Sequence, residues 1–519
     1  MTHHEPFPPS TTAVFWPRCS AVQGCMGRAV DGPGGARRLN GGGWGLEDGG
    51  PGDSPGPGGC PAHLAPAEFE RFVGSLRPGG DLDLRGVTVP PWLLDAVLDA
   101  VTGPDGRPHL GRTRFDRAVL PSDAGLRGFC VEGDSSFDGA CFLGGASFYD
   151  ARFFGNVSFR GARFGSNVSF HAARFHRHAS FEEAVFAGDA LFGEAGWHAD
   201  ASFRRAVFMG AACFDRARFG RDAAMQAACF GGAVSFKRVQ VTRHARLERT
   251  KFRRGAWLGP LVAGGRIGLA DVCAHGGLRV HAAARHVTAR GATVHGEADF
   301  RLRHAELDLE DAVFDATVSV RTLAHPIQGL AEPSWPGPGT VRLTSLRRVE
   351  AALVRLTDVD LSGCGFLGLR RPDALRITGD CTFATAHRRS WPRRGPGRAV
   401  LADDDSARGN NDNDSARGDD RLAALYRDMA RATADSGRRR LARDFRYSAL
   451  EKRRRSEPGR WRRWGLHLLW ITCGYGLRAG RAVAWIAILV ALVCSGATLL
   501  RHDNRQDAAR MLHMNGDNT

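Results

Sequence analysis

Between Phe137 and Leu258 a large apolar residue recurs in alternating steps of five and six, beginning Phe137, Phe142, Phe148, Phe153, Phe159, Phe164. Ala or Val stands two places before most of these centres, as in Ala151-Arg152-Phe153 and Val157-Ser158-Phe159. Neither the period of an α-helix nor that of a flat strand fits this spacing. A fixed short period over so long a stretch predicts a stacked solenoid, in which each repeat buries its apolar side against its neighbours.

Two successive steps add to eleven, so a stacking coil must hold a multiple of eleven residues. Eleven can hardly enclose a core, whereas 22 make four short sides, two of five residues and two of six. Stepping by 22 sorts the centres into four ladders. They are Phe148, Phe170, Phe192, Phe214, Phe236 and Leu258; Phe153, Phe175, Trp197, Phe219 and Val241; Phe159, Phe181, Phe203, Met225 and Leu247; and Phe164, Phe186, Phe208, Phe230 and Phe252. The candidate core is the run from Phe148 to Phe219 in these ladders. Coils should lie about 4.8 Å apart, the inter-strand spacing. Each buried aromatic is then worth about 2–3 kcal/mol. The small residue two places earlier also points inward, and the remaining positions face water. A β-sandwich rich in Phe is the other reading, but a sandwich requires no fixed register over so many steps.

This pattern of Ala, any residue, Phe and two small or polar residues resembles the pentapeptide-repeat proteins. The Phe-centred variant with alternating steps looks like a subfamily common in actinobacteria. The resemblance implies a mainly β fold, a right-handed quadrilateral parallel β-helix. A second patch, Val354-Arg355-Leu356, Val359-Asp360-Leu361 and Cys364-Gly365-Phe366, fits in steps of five, and Arg376-Ile377 and Cys381-Thr382-Phe383 continue it. Between the patches Ala298-Asp299-Phe300, Ala305-Glu306-Leu307 and Ala312-Val313-Phe314 are islands of the repeat. Residues 112–385 are therefore expected to form one solenoid, clean at 137–258 and 354–383, with a distorted middle and a loop at 326–339.

The flanks differ in character. Residues 1–60 are rich in Gly, Pro and Ser, which predicts disorder. Residues 61–111 read as a small cap, with a helix start at Ala65 and an amphipathic helix from Pro90 covering the open end of the solenoid. Residues 386–420 read as a disordered linker. Leu422, Leu425, Tyr426 and Met429, then Leu441, Phe445 and Ala449, mark helical faces in a basic juxtamembrane region, 421–477. The stretch Ala442 to Arg454 is similar to a segment found before the membrane anchor in some pentapeptide-repeat proteins, with Arg446 and Ala449 departing from it.

Residues 482–500 carry no charge. As a helix this stretch spans about 30 Å, the thickness of the hydrocarbon core. Trp461, Trp464, Trp470 and Tyr475 precede it, where an interfacial aromatic belt would lie. A buried helix of a soluble domain is the alternative. The basic residues before the span, including Arg453, Arg454, Arg455, Arg462 and Arg463, predict a single-pass protein with the solenoid in the cytoplasm and a short exported tail, 501–519. The same arginines are expected against anionic lipid.

The chain has 519 residues and a formal charge of +16. Its twelve cysteines show no C-x-x-C pair or zinc-finger spacing, and Cys141, Cys213 and Cys229 read as surface thiols in a reducing compartment. The amino terminus lacks a basic region followed by an apolar one, so no signal peptide is expected. No P-loop, H-E-x-x-H or G-x-S-x-G motif occurs, and Gly41-Gly42-Gly43-Trp44-Gly45 follows no strand. His176 and His198 should stack on an outer face, as should Arg152 and Arg174, and both read as surface features rather than metal or phosphate sites. No catalytic, cofactor or metal residues are assigned, and no cofactor is expected.

Three functions remain. The first is a non-enzymatic, membrane-anchored scaffold that offers a rigid rod to protein partners, with self-association possible. The second is a nucleic-acid-linked role, since the resemblance includes gyrase-binding DNA mimics. Residues 137–258 hold 18 Lys+Arg against 10 Asp+Glu, however, and a mimic needs an acidic surface. The third is a membrane-associated oxidoreductase, a label carried by similar proteins and matched here by no dinucleotide, flavin or metal motif.

Overall fold

In this computed structural model, residues 16–30, 58–386, 398–406, 415–457, 459–473, 475 and 485–495 are described. The chain divides into two compact units, Met1–Ser345 with Leu353–Val359, and Leu346–Ala352 with Asp360–Thr519.

The first unit is a parallel β-solenoid. One coil shows its plan: strands Val157–Ser158, Arg163–Phe164, Val168–Ser169 and Arg174–Phe175 form four short walls. Each strand pairs in parallel with the strand 22 residues on, as Val157 with Ala179, Arg163 with Val185, Val168 with Ala190 and Arg174 with Gly196. Among the centres from Phe148 to Phe219, no side chain is more than 2% exposed. Their rings stack at the coil spacing, for example Phe148 on Phe170 at 4.7 Å and Phe170 on Phe192 at 5.1 Å.

The alternation of five and six has a structural cause in the corners. The five-residue step is a tight turn closed by a backbone hydrogen bond, such as Ala151 N–H to Phe148 O at 3.1 Å. Its third residue takes positive φ, as at Asp150, Gly161, Ala172, Glu183, Glu194, Arg205, Arg216 and Ala227. The six-residue step has one more residue and no such closure. There an Asn or Asp side chain accepts the amide of the residue 22 places later. Asn167 takes Asp189 N–H and Asp189 takes Ala211 N–H, each at 2.8 Å. Gly188, Gly210 and Gly232 stack in the same kind of corner, and a Cβ on Gly210 would stand 2.5 Å from the Gly188 carbonyl.

These corners predict substitutions of opposite sign. Ala227→Gly relieves a left-handed alanine and should stabilise the solenoid by up to about 1 kcal/mol. Gly210→Ala forces backbone apart and should cost about 1–3 kcal/mol. Thermal unfolding of the two variants checks this; shifts of the same sign would contradict the corner assignment.

The middle of the solenoid keeps its stacking but changes its section. At Ala256–Ala263 the third and fourth walls join into one strand, followed by Leu278–Ala283, Ala298–Arg303 and Val318–Thr322. The register falls from 22 residues, Ala245 to Ile267, to 20, Ile267 to Val287. The cause is plain in the sequence: Leu278, Val280 and Ala282 alternate inward at period two, so no corner interrupts them. Thus the expected distorted middle is a regular three-walled coil. Between Glu306 and Arg342 the register is 36, so 16 residues beyond the 20 are inserted. That insertion contains the expected loop, and Ile327 folds back to pack with Val262 and Ala283.

At the amino-terminal end, α1 (Pro66–Ser75) and α2 (Pro91–Ala100) form the helical cap. Helix α2 starts on Pro91, whose missing N–H would be unpaired at that position anyway, and buries Leu93, Leu94 and Val97. The first wall begins at Leu82–Asp83, which pairs with Thr113–Arg114. Residues 16–30, expected to be disordered, instead form a hairpin-like turn in which Cys19 N–H bonds Gly27 O and Ala29 N–H bonds Pro17 O. The glycine-rich stretch 41–45 lies outside the described residues.

In the second unit a short antiparallel pair, Ala384–Ala386 with Arg398–Val400, is followed by α3 (Asp403–Ser406), α4 (Ser415–Asp435), α5 (Arg439–Ser456) and α6 (Arg460–Cys473). Part of the expected linker is therefore folded. Leu422, Tyr426 and Met429 of α4 and Phe445 of α5 are buried, with Tyr426 and Phe445 rings 5.8 Å apart. The sequence predicts a membrane helix over 482–500. Among the described residues no helix is long and apolar enough to cross a membrane. Residues 485–495 are helical, and the rest of that stretch, with the tail 501–519, lies outside them.

Candidate interaction surfaces

The outer face of the fourth wall carries two columns set by the 22-residue register. Arg152, Arg174, Gly196 and Arg218 occupy successive rungs of one. The other is aromatic: Phe154 stacks on His176 at 4.6 Å, and His176 on His198 at 4.7 Å. Burial, then the His198 ring and the Arg152 and Arg174 cations, hold His176 below the ordinary imidazole value. No cysteine or carboxylate joins the pair among the described residues, and the adjacent cations oppose a bound metal ion.

The turns that close the five-residue steps behave differently. Arg205 pairs with Glu183 at 3.3 Å and Arg216 with Glu194 at 2.9 Å, each between neighbouring coils. These exposed pairs contribute little stability, but they neutralise the corners. Among the described residues Arg152 and Arg218 have no carboxylate partner.

In the second unit, the residues assigned to the membrane surface are of three kinds. Arg453, Arg462 and Arg463 are exposed. Arg454 lies over the Trp470 ring at 5.0 Å and touches His467, while Arg455 pairs with Glu451 at 3.0 Å. Lys452, from the same basic run, turns inward. Its Nζ meets Asp404 at 2.5 Å and Asp419 at 2.9 Å, and its side chain is 6% exposed. Helix α6 shows the reverse: Trp461 is 90% exposed, Trp464 66% and Leu468 57%. At spacings of three and four these residues share one helical face. In 485–495 every side chain is exposed, including Ile486, Leu489, Val490, Leu492 and Val493.

Among the described residues two groups of metal-type donors also converge. One is Cys273, His275 and His295, mostly exposed, with His295 engaged by Asp315 at 2.7 Å. The other is Cys19, Cys25, Cys60 and His63. Sequence reasoning assigned no metal ligands and missed this cluster. Cys25 and Cys60 are far apart in the chain, and no paired spacing announces them. The signal was Cys60 with His63 three residues later, opposite two cysteines in one short loop. Cys141, Cys213 and Cys229 are half-buried free thiols, and burial raises the first two above the usual thiol value.

Four-sided coils and stacked aromatic ladders define a β-solenoid repeat protein. Residues 127–174 and 148–196 match the family described as pentapeptide repeats (9 copies), so this part of the solenoid is built of pentapeptide repeats. Neither the curated proteins nor the solved structures contain a match to it.

Proposed function

We propose that this protein is a non-enzymatic scaffold held at a membrane, offering its rigid solenoid to protein partners. The observation that carries the reading is the outward apolar face of α6, together with the exposed aliphatic side chains of the helical residues 485–495. Leaving this much aliphatic and indole surface in water is unfavourable by about 25 cal/mol per Å². Tryptophans beside arginines suit the headgroup layer, and the uncharged run 482–500 has the length of a spanning helix. Under this reading the solenoid lies on the cytoplasmic side, because the positive charge before the run exceeds that after it.

Deletion of 478–519 should move the chain from the membrane fraction to the soluble fraction, read by fractionation of native cells. Equal partitioning of truncated and full-length chains would overturn the anchor. Substituting Trp461 and Trp464 by Ser in the truncated chain should abolish its residual binding to anionic vesicles. Vesicle binding that is unchanged would remove α6 from the membrane contact.

A further inference from the structure

We propose that Cys19, Cys25, Cys60 and His63 hold one zinc ion in a closed structural site that fastens residues 16–30 to the amino-terminal end of the solenoid. The four donor atoms all lie within 4.8 Å of one another. Cys25 Sγ is 3.8 Å from Cys60 Sγ, Cys60 Sγ is 3.3 Å from His63 Nδ1, and Cys19 Sγ is 3.6 Å from the same nitrogen. Tetrahedral zinc, about 2.3 Å from sulfur and about 2.0 Å from nitrogen, sets sulfur–sulfur edges of about 3.8 Å and sulfur–nitrogen edges of about 3.5 Å. The observed edges match. A disulfide needs its sulfurs about 2.05 Å apart.

The donor set selects the ion. Three thiolates and an imidazole favour zinc and exclude hard cations such as magnesium or calcium. Four protein donors leave no open position, so the site is structural. Loading exchanges three thiol protons for Zn²⁺ and leaves one net negative charge on the cluster.

The backbone is shaped around the donors. Arg18 and Arg28 form an antiparallel bridge, and Cys19 and Cys25 lie in the loop between them. Gly27 N–H points to Cys25 Sγ at 3.4 Å. A Cβ on Gly27 would stand 2.9 Å from Cys60 Sγ, so glycine leaves room for the Cys60 side chain where another residue would crowd it. Ser20 N–H reaches Gly58 O at 3.3 Å and Val30 N–H reaches Gly59 O at 3.1 Å, which brings Cys60 to the loop. The hairpin then docks on the first coil through Arg28 N–H to Arg85 O at 2.8 Å and the Arg28–Asp83 ion pair at 2.7 Å.

The energetic need is clear from burial. Within 16–30 the buried apolar side chains are Cys19 and Ala29. So small a segment cannot hold itself by a hydrophobic core, and a metal replaces one.

The test uses the full-length chain, purified without chelator from zinc-supplemented cells. Elemental analysis should find about one zinc per chain, falling at least tenfold in Cys25→Ser and in Cys60→Ser and unchanged in Cys213→Ser. Because the variants can fail to fold, the wild-type chain is also stripped with chelator and titrated with cobalt(II). Tetrahedral d–d bands and thiolate charge-transfer bands should saturate at one equivalent. Limited proteolysis of the stripped chain should cut within 16–63 and leave the solenoid intact, with protection restored by zinc. A chain that takes up neither metal after reduction, or that holds a Cys25–Cys60 disulfide instead, overturns the proposal, and iron or copper in place of zinc overturns the assignment of the ion.

Discussion

Phe192→Ala is expected to destabilise the solenoid by about 3–5 kcal/mol, the range for a large aromatic removed from a closed core. Phe192 is fully buried and stacks between Phe170 at 5.1 Å and Phe214 at 5.0 Å, with Phe181 and Phe203 meeting it edge-on at 5.5 and 5.3 Å. Each neighbour is held by its own backbone ladder, so the hole cannot close. His176→Ala removes an exposed ring and should change stability by less than about 0.5 kcal/mol. Denaturant titration of both variants checks the contrast. Equal midpoints would remove the division into inward centres and outward positions.

Lys452→Met should cost the helical region about 3–5 kcal/mol, because it strands two carboxylates that the ammonium group neutralises. Asp404 also accepts the Tyr426 hydroxyl at 3.0 Å, and that hydroxyl accepts Leu401 N–H at 3.0 Å. The 2.5 Å contact from Lys452 to Asp404 lacks hydrogen-bond geometry at Oδ1 and acts through charge. Burial, then the Asp404 charge, push the Tyr426 hydroxyl far above the usual tyrosine value, so it remains a donor throughout the accessible pH range. Adding Asp404→Asn to Lys452→Met should recover part of the loss, since one buried charge then goes with the other. A double variant no more stable than the single would show that Asp419 dominates. Arg453→Ala, one residue away and exposed, is the control and should be near neutral.

The two substitutions probe opposite cases of sequence legibility. Phe192 belongs to a column readable from the chain alone, because a coil with identical rungs forces like residues to recur at its own length. Lys452 belongs to a run of like charges that reads as uniformly exposed. Its partners are 33 and 48 positions away, and only folding brings them together. The zinc-type cluster is hidden for the same reason. The joining of two walls after Ala256 was legible in part, since the switch to alternation at Leu278, Val280 and Ala282 is a local signal. The turns were not legible in the chain: Arg205, Glu183 and Ala227 adopt positive φ although none is a residue favouring it.

The amino-acid order by itself determined the coil length, the inward residues and the presence of helices beyond the solenoid, because each is a periodicity and periodicity is local. Tertiary structure alone decided which side chains of the basic run turn inward and which cysteines meet. Those outcomes depend on contacts between positions distant in the chain, where burial and charge must be balanced in space, and no period records them.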